Sequence, residues 1–181
     1  MKNIIDRHYS AFKNELTIHY GFKKDYLFLD LTLGDGGHTE EALLAGCQVV
    51  SFDVDSEAIE RAVSFLSPRF SPTIIDPETF SGPIPANFSW IVIKSNFIRL
   101  SELASKLSLP KFDGVMADLG PSQFQILSPG RGFSFAIDEP LDMRLDRDLG
   151  VTAADLLAVL NEGELVDLFE IADEPFAKPL A

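Results

Sequence analysis

Cysteine, histidine and positive charge are all scarce in this sequence. The single cysteine, Cys47, cannot form an intramolecular disulfide, and with three histidines the chain has no Cys/His cluster at zinc-binding spacing. Fifteen lysines and arginines face 28 aspartates and glutamates, which gives a formal net charge of −13 at pH 7. This balance excludes a protein that binds nucleic acid by general attraction to phosphates, although a local basic patch stays compatible with it.

Long apolar runs and a secretion signal are also missing. No apolar stretch reaches the ~20 residues that span a bilayer, and the polar start at 1–7 is unlike a signal peptide. Because 46% of the 181 residues are hydrophobic, the chain can bury a core, and its length suggests about one domain. We therefore expect an acidic, soluble, cytoplasmic protein with no membrane contact and reduced thiols.

Four short apolar segments alternate with helical patterns. The segments 26–31, 47–52, 90–93 and 112–117 are predicted to be strands buried on both faces of a parallel sheet. Helices are predicted at 38–45, at about 55–66 and at 99–107. This alternation is typical of an open α/β sheet with right-handed crossovers. The segment 67–88 holds five prolines and is predicted to be an extended insertion outside the four strands.

The alternation stops after Gly120. Residues 121–150 are rich in glycine, proline and charge and are predicted to form a long ordered loop. Thr152 and Asp155 match the start of a helix, and a further helix is predicted at 162–171. We place the boundary at 135/136, so that 1–135 form the core, with its insertion at about 67–88, and 136–181 form a loop and a helical appendage.

A glycine-rich turn joins the first strand to the first helix. Its sequence at 30–38, Asp-Leu-Thr-Leu-Gly-Asp-Gly-Gly-His, lets the backbone approach a ligand and presents the free N–H groups of a helix N-terminus. Asp53 ends the second strand, where a carboxylate can accept both hydroxyls of a ribose. The two features together predict a nucleoside-cofactor site, with a tight turn that binds nothing as the structural alternative.

This turn differs from a dinucleotide-binding loop. It lacks the last glycine of the G-x-G-x-x-G pattern, and Asp35 would repel a pyrophosphate. A cationic sulfonium cofactor that carries an amino group meets no such conflict. The turn therefore favours S-adenosylmethionine over a nicotinamide dinucleotide.

A second candidate position is Asp118, at the end of the fourth strand. Ligands of open α/β sheets bind at this edge, so Asp118 and the backbone near Gly120 would face a reacting group beside the cofactor. A carboxylate and a carbonyl there could accept hydrogen bonds from an exocyclic base amine, whose lone pair is otherwise delocalised into the ring. A helix cap or turn former is the alternative for Asp118.

Two motifs beyond the fourth strand are highly specific. They are Arg-Gly-Phe-Ser-Phe at 131–135 and Pro-Leu-Asp-Met-Arg at 140–144. Together with 30–38, 52–55, 94–97, 112–120 and 151–157, they make the chain resemble the bacterial small-subunit rRNA cytosine-N(4) methyltransferases of the MraW family. The resemblance runs from about residue 8 to the last residue, apart from the proline-rich insertion.

The resemblance implies a class I, Rossmann-like, S-adenosylmethionine-dependent methyltransferase fold with a partial sheet and the start of a helical domain for substrate recognition. It implies a catalytic Asp118 and a cytosine of 16S rRNA in the small ribosomal subunit as substrate. No metal is expected, and a homodimer stays open. The implied cofactor contacts are Gly36, Gly37, His38, Asp53, Phe97, Asp118 and Gln125.

Some positions depart from the family pattern. Pro121 removes a backbone donor beside Asp118 and Gln123 replaces a small residue, which bears on cytosine binding more than on cofactor binding. The family's last strands would follow residue 181, so the chain is a fragment, a shortened relative or a protein completed by a partner. A non-catalytic cofactor-binding or RNA-associated protein is therefore the second hypothesis, and a dehydrogenase the third. Within the loop, we expect Arg131, Asp142 and Arg144 to form buried charge pairs.

Overall fold

The computed structural model describes residue 12 and residues 14–181. The chain divides into two compact units, one that ends at Ser122 and one that runs from Gln123 to Ala181. The sequence placed a boundary at 135/136, downstream of this division. Of the cations at the basic start, Lys2, Arg7 and Lys13 lie outside the described residues.

A five-stranded parallel sheet forms the centre of the first unit. The order across the sheet is β3-β4-β2-β1-β5, so the chain moves to one side of β1 first and then returns to its other side. This reversal puts the topological switch point between β1 and β5, where ligands of such sheets bind outside the carboxyl ends of the strands. The strands are β1 (Leu27–Asp30), β2 (Gln48–Asp53), β3 (Pro72–Ile75), β4 (Trp90–Lys94) and β5 (Gly114–Met116).

Helices connect these strands and make up most of the regular structure of the second unit. In the first unit they are α1 (Leu16–Tyr20), α2 (Gly37–Leu44), α3 (Ser56–Leu66) and α4 (Leu100–Lys106), with a 3-10 turn at Phe97–Arg99. In the second unit they are α5 (Gln123–Leu127), α6 (Ala153–Val159), α7 (Glu162–Ile171) and α8 (Ala177–Leu180). No helix in the described part of the chain is long and apolar enough to cross a membrane.

Successive strand residues face two separate apolar clusters. Phe28 and Val49 pack in one cluster, whereas their neighbours Leu29 and Val50 pack in the other. All four side chains are at most 1% exposed. Burial on both faces explains why the sequence shows near-continuous apolar runs rather than alternation, and the four strands predicted from those runs are confirmed.

The prediction that 67–88 lies outside the sheet, which left a four-stranded sheet, was wrong. Pro72–Ile75 forms β3, an edge strand that pairs with β4 from Pro72↔Trp90 to Ile75↔Ile93. Proline is tolerated here because it is the first residue of an edge strand, where its missing N–H breaks no ladder. The next three residues are β-branched, as strands favour, and Ile75 is fully buried.

Capping boxes start two helices of the second unit. Thr152 and Asp155 exchange side-chain and backbone hydrogen bonds at α6, as the sequence predicted, and Asn161 and Glu164 do the same at α7. In the preceding loop the expectation of buried charge pairs is met in part: Arg144 Nη2 lies 2.7 Å from Asp142 Oδ2, but both side chains are partly exposed. The hydrogen bonds from this guanidinium lower the pKa of Asp142 to about 2.

Arg131 orders the same loop from the inside. Its side chain is buried, and Nη2 donates to the carbonyl oxygens of Arg144 and Leu145 at 3.2 and 3.3 Å. The loop is therefore held by a buried guanidinium on backbone carbonyls and by the neighbouring Asp142–Arg144 pair.

Candidate functional site

The glycine turn between β1 and α2 uses its glycines for two different purposes. Gly34 and Gly36 both have positive φ, at +52° and +77°. A Cβ on Gly34 would meet nothing closer than the Thr32 carbonyl oxygen at 4.0 Å, so this position opens onto free space. A Cβ on Gly36 would lie 3.0 Å from Leu66 Cδ1 of α3. Gly36 is thus favoured by its positive φ and by tight packing, whereas Gly34 marks where a ligand can approach.

Asp53 lies where the sequence predicted it, at the end of β2 and beside the turn. Its Oδ2 accepts a hydrogen bond from Gly34 N at 2.8 Å and its Oδ1 accepts one from Asp55 N at 2.9 Å. Burial raises the pKa of the carboxyl group, although these backbone donors oppose the shift. Each carboxylate oxygen has two lone pairs, so each can still accept one hydroxyl of a ribose.

Asp118 follows β5 and is held on the opposite side of the turn. Its backbone N donates to Thr32 Oγ1 at 2.7 Å, and its carboxylate Oδ2 lies 3.5 Å from Nε2 of His38. The Asp118 side chain is 48% exposed, whereas that of His38 is 8% exposed. The structure therefore brings two predicted site residues together at the switch point, one accessible and one buried behind it.

A buried network of polar side chains lies next to the Asp118–His38 pair. Asp30 is fully buried at the end of β1 and accepts hydrogen bonds from Thr32 N at 3.1 Å and from Thr39 Oγ1 at 2.7 Å. The Thr39 hydroxyl lies 2.8 Å from Ser51 Oγ, which also receives the indole N–H of Trp90. Desolvation raises the pKa of Asp30, partly offset by its hydrogen bonds.

Thr32 and Thr39 were not predicted to have a role, and Asp30 was predicted only as the start of the motif. The available signal was an acid inside an apolar strand, because a carboxylate is rarely buried without partners. The network fixes Thr32, and Thr32 in turn fixes the backbone of Asp118.

Phe97 lies in the turn after β4. Ser95 N donates to the Asp53 backbone oxygen at 2.9 Å, which ties this turn to the end of β2. Asn96 caps the turn by accepting a hydrogen bond from Ile98 N at 2.9 Å. The aromatic ring of Phe97 is 38% exposed, so one part of it is available to a flat ligand.

Asp35 is paired rather than presented to the turn. Its Oδ1 lies 2.8 Å from Nε of Arg61 on α3, and both side chains are largely buried. This guanidinium neutralises the carboxylate. The negative charge of Asp35 is therefore no argument for a sulfonium cofactor over one that carries a pyrophosphate. The choice of cofactor has to rest on other features.

Gln125 belongs to the second unit, where it is buried within α5. Its contact with the cofactor stays a prediction. Among the described residues, no group of three or more His, Cys, Asp or Glu side chains is placed to hold a metal ion.

The first unit offers what an adenosyl cofactor needs. Free space at Gly34 admits a ligand to the backbone, Asp53 keeps acceptor capacity for two hydroxyls, and Phe97 exposes an apolar ring. Nδ1 of His38 is buried and has no hydrogen-bond partner within the described residues. These residues fit the group, so the geometry is compatible with the cofactor that the sequence favoured.

Comparison with known proteins decides the family. The family model described as the MraW methylase family matches residues 6–181. This chain belongs to the MraW methylase family. Membership confirms the resemblance seen in the motifs and, with the five-stranded parallel sheet, the Rossmann-like methyltransferase fold class.

Three curated relatives share the name Ribosomal RNA small subunit methyltransferase H. The chain is 37% identical over 179 residues to that of Carboxydothermus hydrogenoformans, covering 96% of this chain and 51% of the relative. It is 33% identical over 187 residues to that of Thermosipho africanus, covering 100% and 57%. It is 36% identical over 179 residues to that of Desulfosudis oleivorans, covering 97% and 52%. The chain thus spans about half the length of these relatives.

Proposed function

We propose that this chain binds S-adenosylmethionine at the β1/β5 switch point and serves methyl transfer to the exocyclic amine of a cytosine in 16S rRNA, within the small ribosomal subunit in the cytoplasm. The observation that carries the proposal is that Asp53 and Asp118 are both hydrogen-bonded to one glycine turn, at Gly34 and at Thr32. The names of the relatives support an RNA substrate of the small subunit.

Each part of the cofactor has a matching residue in this proposal. Phe97 covers the adenine and Asp53 accepts the ribose hydroxyls, while the backbone of Gly36 and Gly37 and the start of α2 at His38 hold the methionine end. Asp118 borders the same end, and Gln125 is the proposed contact from the second unit. The bound cofactor supplies an electrophilic methyl group on a sulfonium.

Asp118 acts on the amine rather than on the methyl group. Its exposed carboxylate accepts a hydrogen bond from the amine N–H, which keeps the nitrogen lone pair from delocalising into the ring. The proton that the nitrogen loses passes to this carboxylate or to water. Catalysis is then mainly positioning, and it requires no metal.

The residues next to Asp118 favour a second candidate function, cofactor binding without transfer. Pro121 has no backbone N–H, and Gln123 is larger than the small residue of the family pattern. Both residues follow Asp118 closely in the sequence, so they argue against cytosine binding more than against cofactor binding.

Two measurements on the chain distinguish these functions. Calorimetry with S-adenosylmethionine and with S-adenosylhomocysteine measures binding, and transfer of a tritiated methyl group to small subunits that lack the mark measures activity. We expect Asp53→Ala to weaken cofactor binding at least about ten-fold, the loss of a hydrogen bond to a charged group. Asp118→Ala should abolish transfer, whereas the matched control Glu60→Ala, an exposed acid on α3, should change neither.

The outcomes separate cleanly. Binding without transfer by the unmodified chain selects the second candidate. No affinity for either compound, in a chain shown to be folded by circular dichroism, contradicts both candidates.

A further inference from the structure

His38 is buried behind the accessible carboxylate of Asp118. It is the second residue of α2, and its Nε2 atom lies 3.5 Å from Asp118 Oδ2. That separation is long for a hydrogen bond, as is common for catalytic contacts before substrate is bound. The Asp118 side chain is otherwise half-exposed, and its Oδ1 has no partner among the residues that the structure describes.

The other ring nitrogen of His38 limits where its proton can be. Nδ1 is buried and has no hydrogen-bond partner in residues 12 and 14–181. A proton on Nδ1, in the neutral ring or in the imidazolium, would therefore be a buried donor without an acceptor, which is unfavourable. The form with its proton on Nε2 leaves Nδ1 as an unpaired acceptor instead, but it directs the N–H at Asp118 Oδ2, whereas the opposite tautomer would set the Nε2 lone pair against that carboxylate.

The other acids around His38 do not compete with Asp118 for the Nε2 atom. Asp30 on β1 also interacts electrostatically with His38 and accepts hydrogen bonds from Thr32 and Thr39, but the carboxylate that lies 3.5 Å from Nε2 is that of Asp118. The acids on α2 itself have other partners, since Glu40 pairs with Arg69 and Glu41 accepts bonds from Thr17. Asp118 is thus the carboxylate that faces the Nε2 atom.

We propose that neutral His38 donates from Nε2 to Asp118 Oδ2 and so positions the Asp118 carboxylate, leaving Oδ1 for the substrate amine; this rests on the proposed function. Thr32 fixes the Asp118 backbone, and His38 fixes its side chain. His38 is a positioning residue and not a proton acceptor, because its only unprotonated nitrogen is buried. The proton released by the amine leaves through Asp118 to water.

A spectroscopic test needs neither cofactor nor substrate. The chain has three histidines, so long-range proton–nitrogen NMR of the labelled protein gives three ring patterns, and His38→Gln identifies the one from His38. We expect the Nε2–H tautomer at pH 7 and a changed pattern in Asp118→Asn but not in the control Glu60→Gln. An Nδ1–H tautomer, an imidazolium, or no response to Asp118→Asn overturns the proposal.

A kinetic test separates positioning from cofactor binding. His38→Leu removes the donor, whereas the amide nitrogen of His38→Gln can occupy the place of Nε2. We expect His38→Leu to lower kcat about 10- to 100-fold, a larger effect than its change in KM for the cofactor, and His38→Gln to recover most of the kcat loss. Equal kcat losses in both variants, or a loss expressed in KM alone, contradict the positioning role. Absence of transfer in the unmodified chain counts against the proposed function alone, since the NMR result judges the His38–Asp118 pair independently.

Discussion

Asp30 shows how one buried side chain organises the switch point. A carboxylate in an apolar sheet is costly unless hydrogen bonds compensate it, and here two threonines do so. One of them, Thr32, also accepts the backbone N–H of Asp118, and the other, Thr39, lies in α2 next to His38. The buried carboxylate of Asp30 thus holds in place two groups that we propose to lie at the cofactor site, His38 and Asp118.

Burial of Asp30 predicts a specific pH dependence of stability. Its folded-state pKa is raised, so ionisation costs the folded chain more than the unfolded chain. The stability contribution of Asp30 is therefore full below its ordinary pKa and is lost as pH rises through the folded value. We expect the unmodified chain to lose stability relative to Asp30→Asn as pH rises from about 4 towards neutrality, measured by urea unfolding at several pH values.

Asp142 is a control for Asp30, because its pKa is shifted in the opposite direction. Arg144 lowers its pKa to about 2, so its contribution is present above the ordinary pKa and is lost as pH falls towards that value. The unmodified chain should therefore lose stability relative to Asp142→Asn at acid pH. The same trend in both variants would show that the two carboxylates are not in the environments described.

At the scale of elements, the sheet was predictable where burial is complete on both faces. β1, β2, β4 and β5 are read from apolar runs, and the carboxyl ends of these strands bring Asp53 and Asp118 to one edge. β3 was hidden because proline argues against strands, and only its edge position makes Pro72 acceptable. Whether a strand lies at the edge depends on the assembled sheet, so a local sequence pattern cannot predict it.

The parts of the site that escaped prediction depend on long-range pairing. The partnership of Asp35 with Arg61 joins the turn to α3, and the tight packing at Gly36 involves Leu66 of the same helix. The role of Thr32 depends on β5 lying next to β1. A sequence shows which residues are present in a turn. The neighbouring elements decide which of those residues pack against the protein and which lie where a ligand can approach.

A pair of isoleucines tests whether β3 belongs to the core. Ile75 is fully buried in the cluster with Phe52 and Leu103, whereas its neighbour Ile74 is 54% exposed on the same strand. We expect Ile75→Ala to lower the free energy of unfolding by about 2–5 kcal/mol, and Ile74→Ala to change it by about 0.5 kcal/mol or less. Urea denaturation measures both. Similar effects of the two substitutions would mean that this segment does not pair as an ordered edge strand.

At the scale of the whole molecule, the acidic balance constrains how the proposed RNA substrate is bound. A net charge of −13 opposes broad contact with phosphates. Ribosomal RNA in an assembled particle is partly neutralised by proteins, so recognition there can depend on shape and on an extruded base. The first unit holds every predicted site residue except Gln125, which is in the second unit.

This balance predicts a shallow salt dependence of binding to small ribosomal subunits. A protein that makes six to ten phosphate contacts loses about 10³- to 10⁵-fold in affinity between 50 and 200 mM salt, whereas about two contacts cost roughly ten-fold. We expect the smaller loss, measured by fluorescence anisotropy with labelled chain, and weaker binding to protein-free 16S rRNA. Lys23→Gln with Lys24→Gln should flatten the dependence further if these exposed cations contact phosphates, while Lys111→Gln should not. A thousand-fold loss would instead require a wide cationic surface, and that surface would have to outweigh an excess of 13 negative charges.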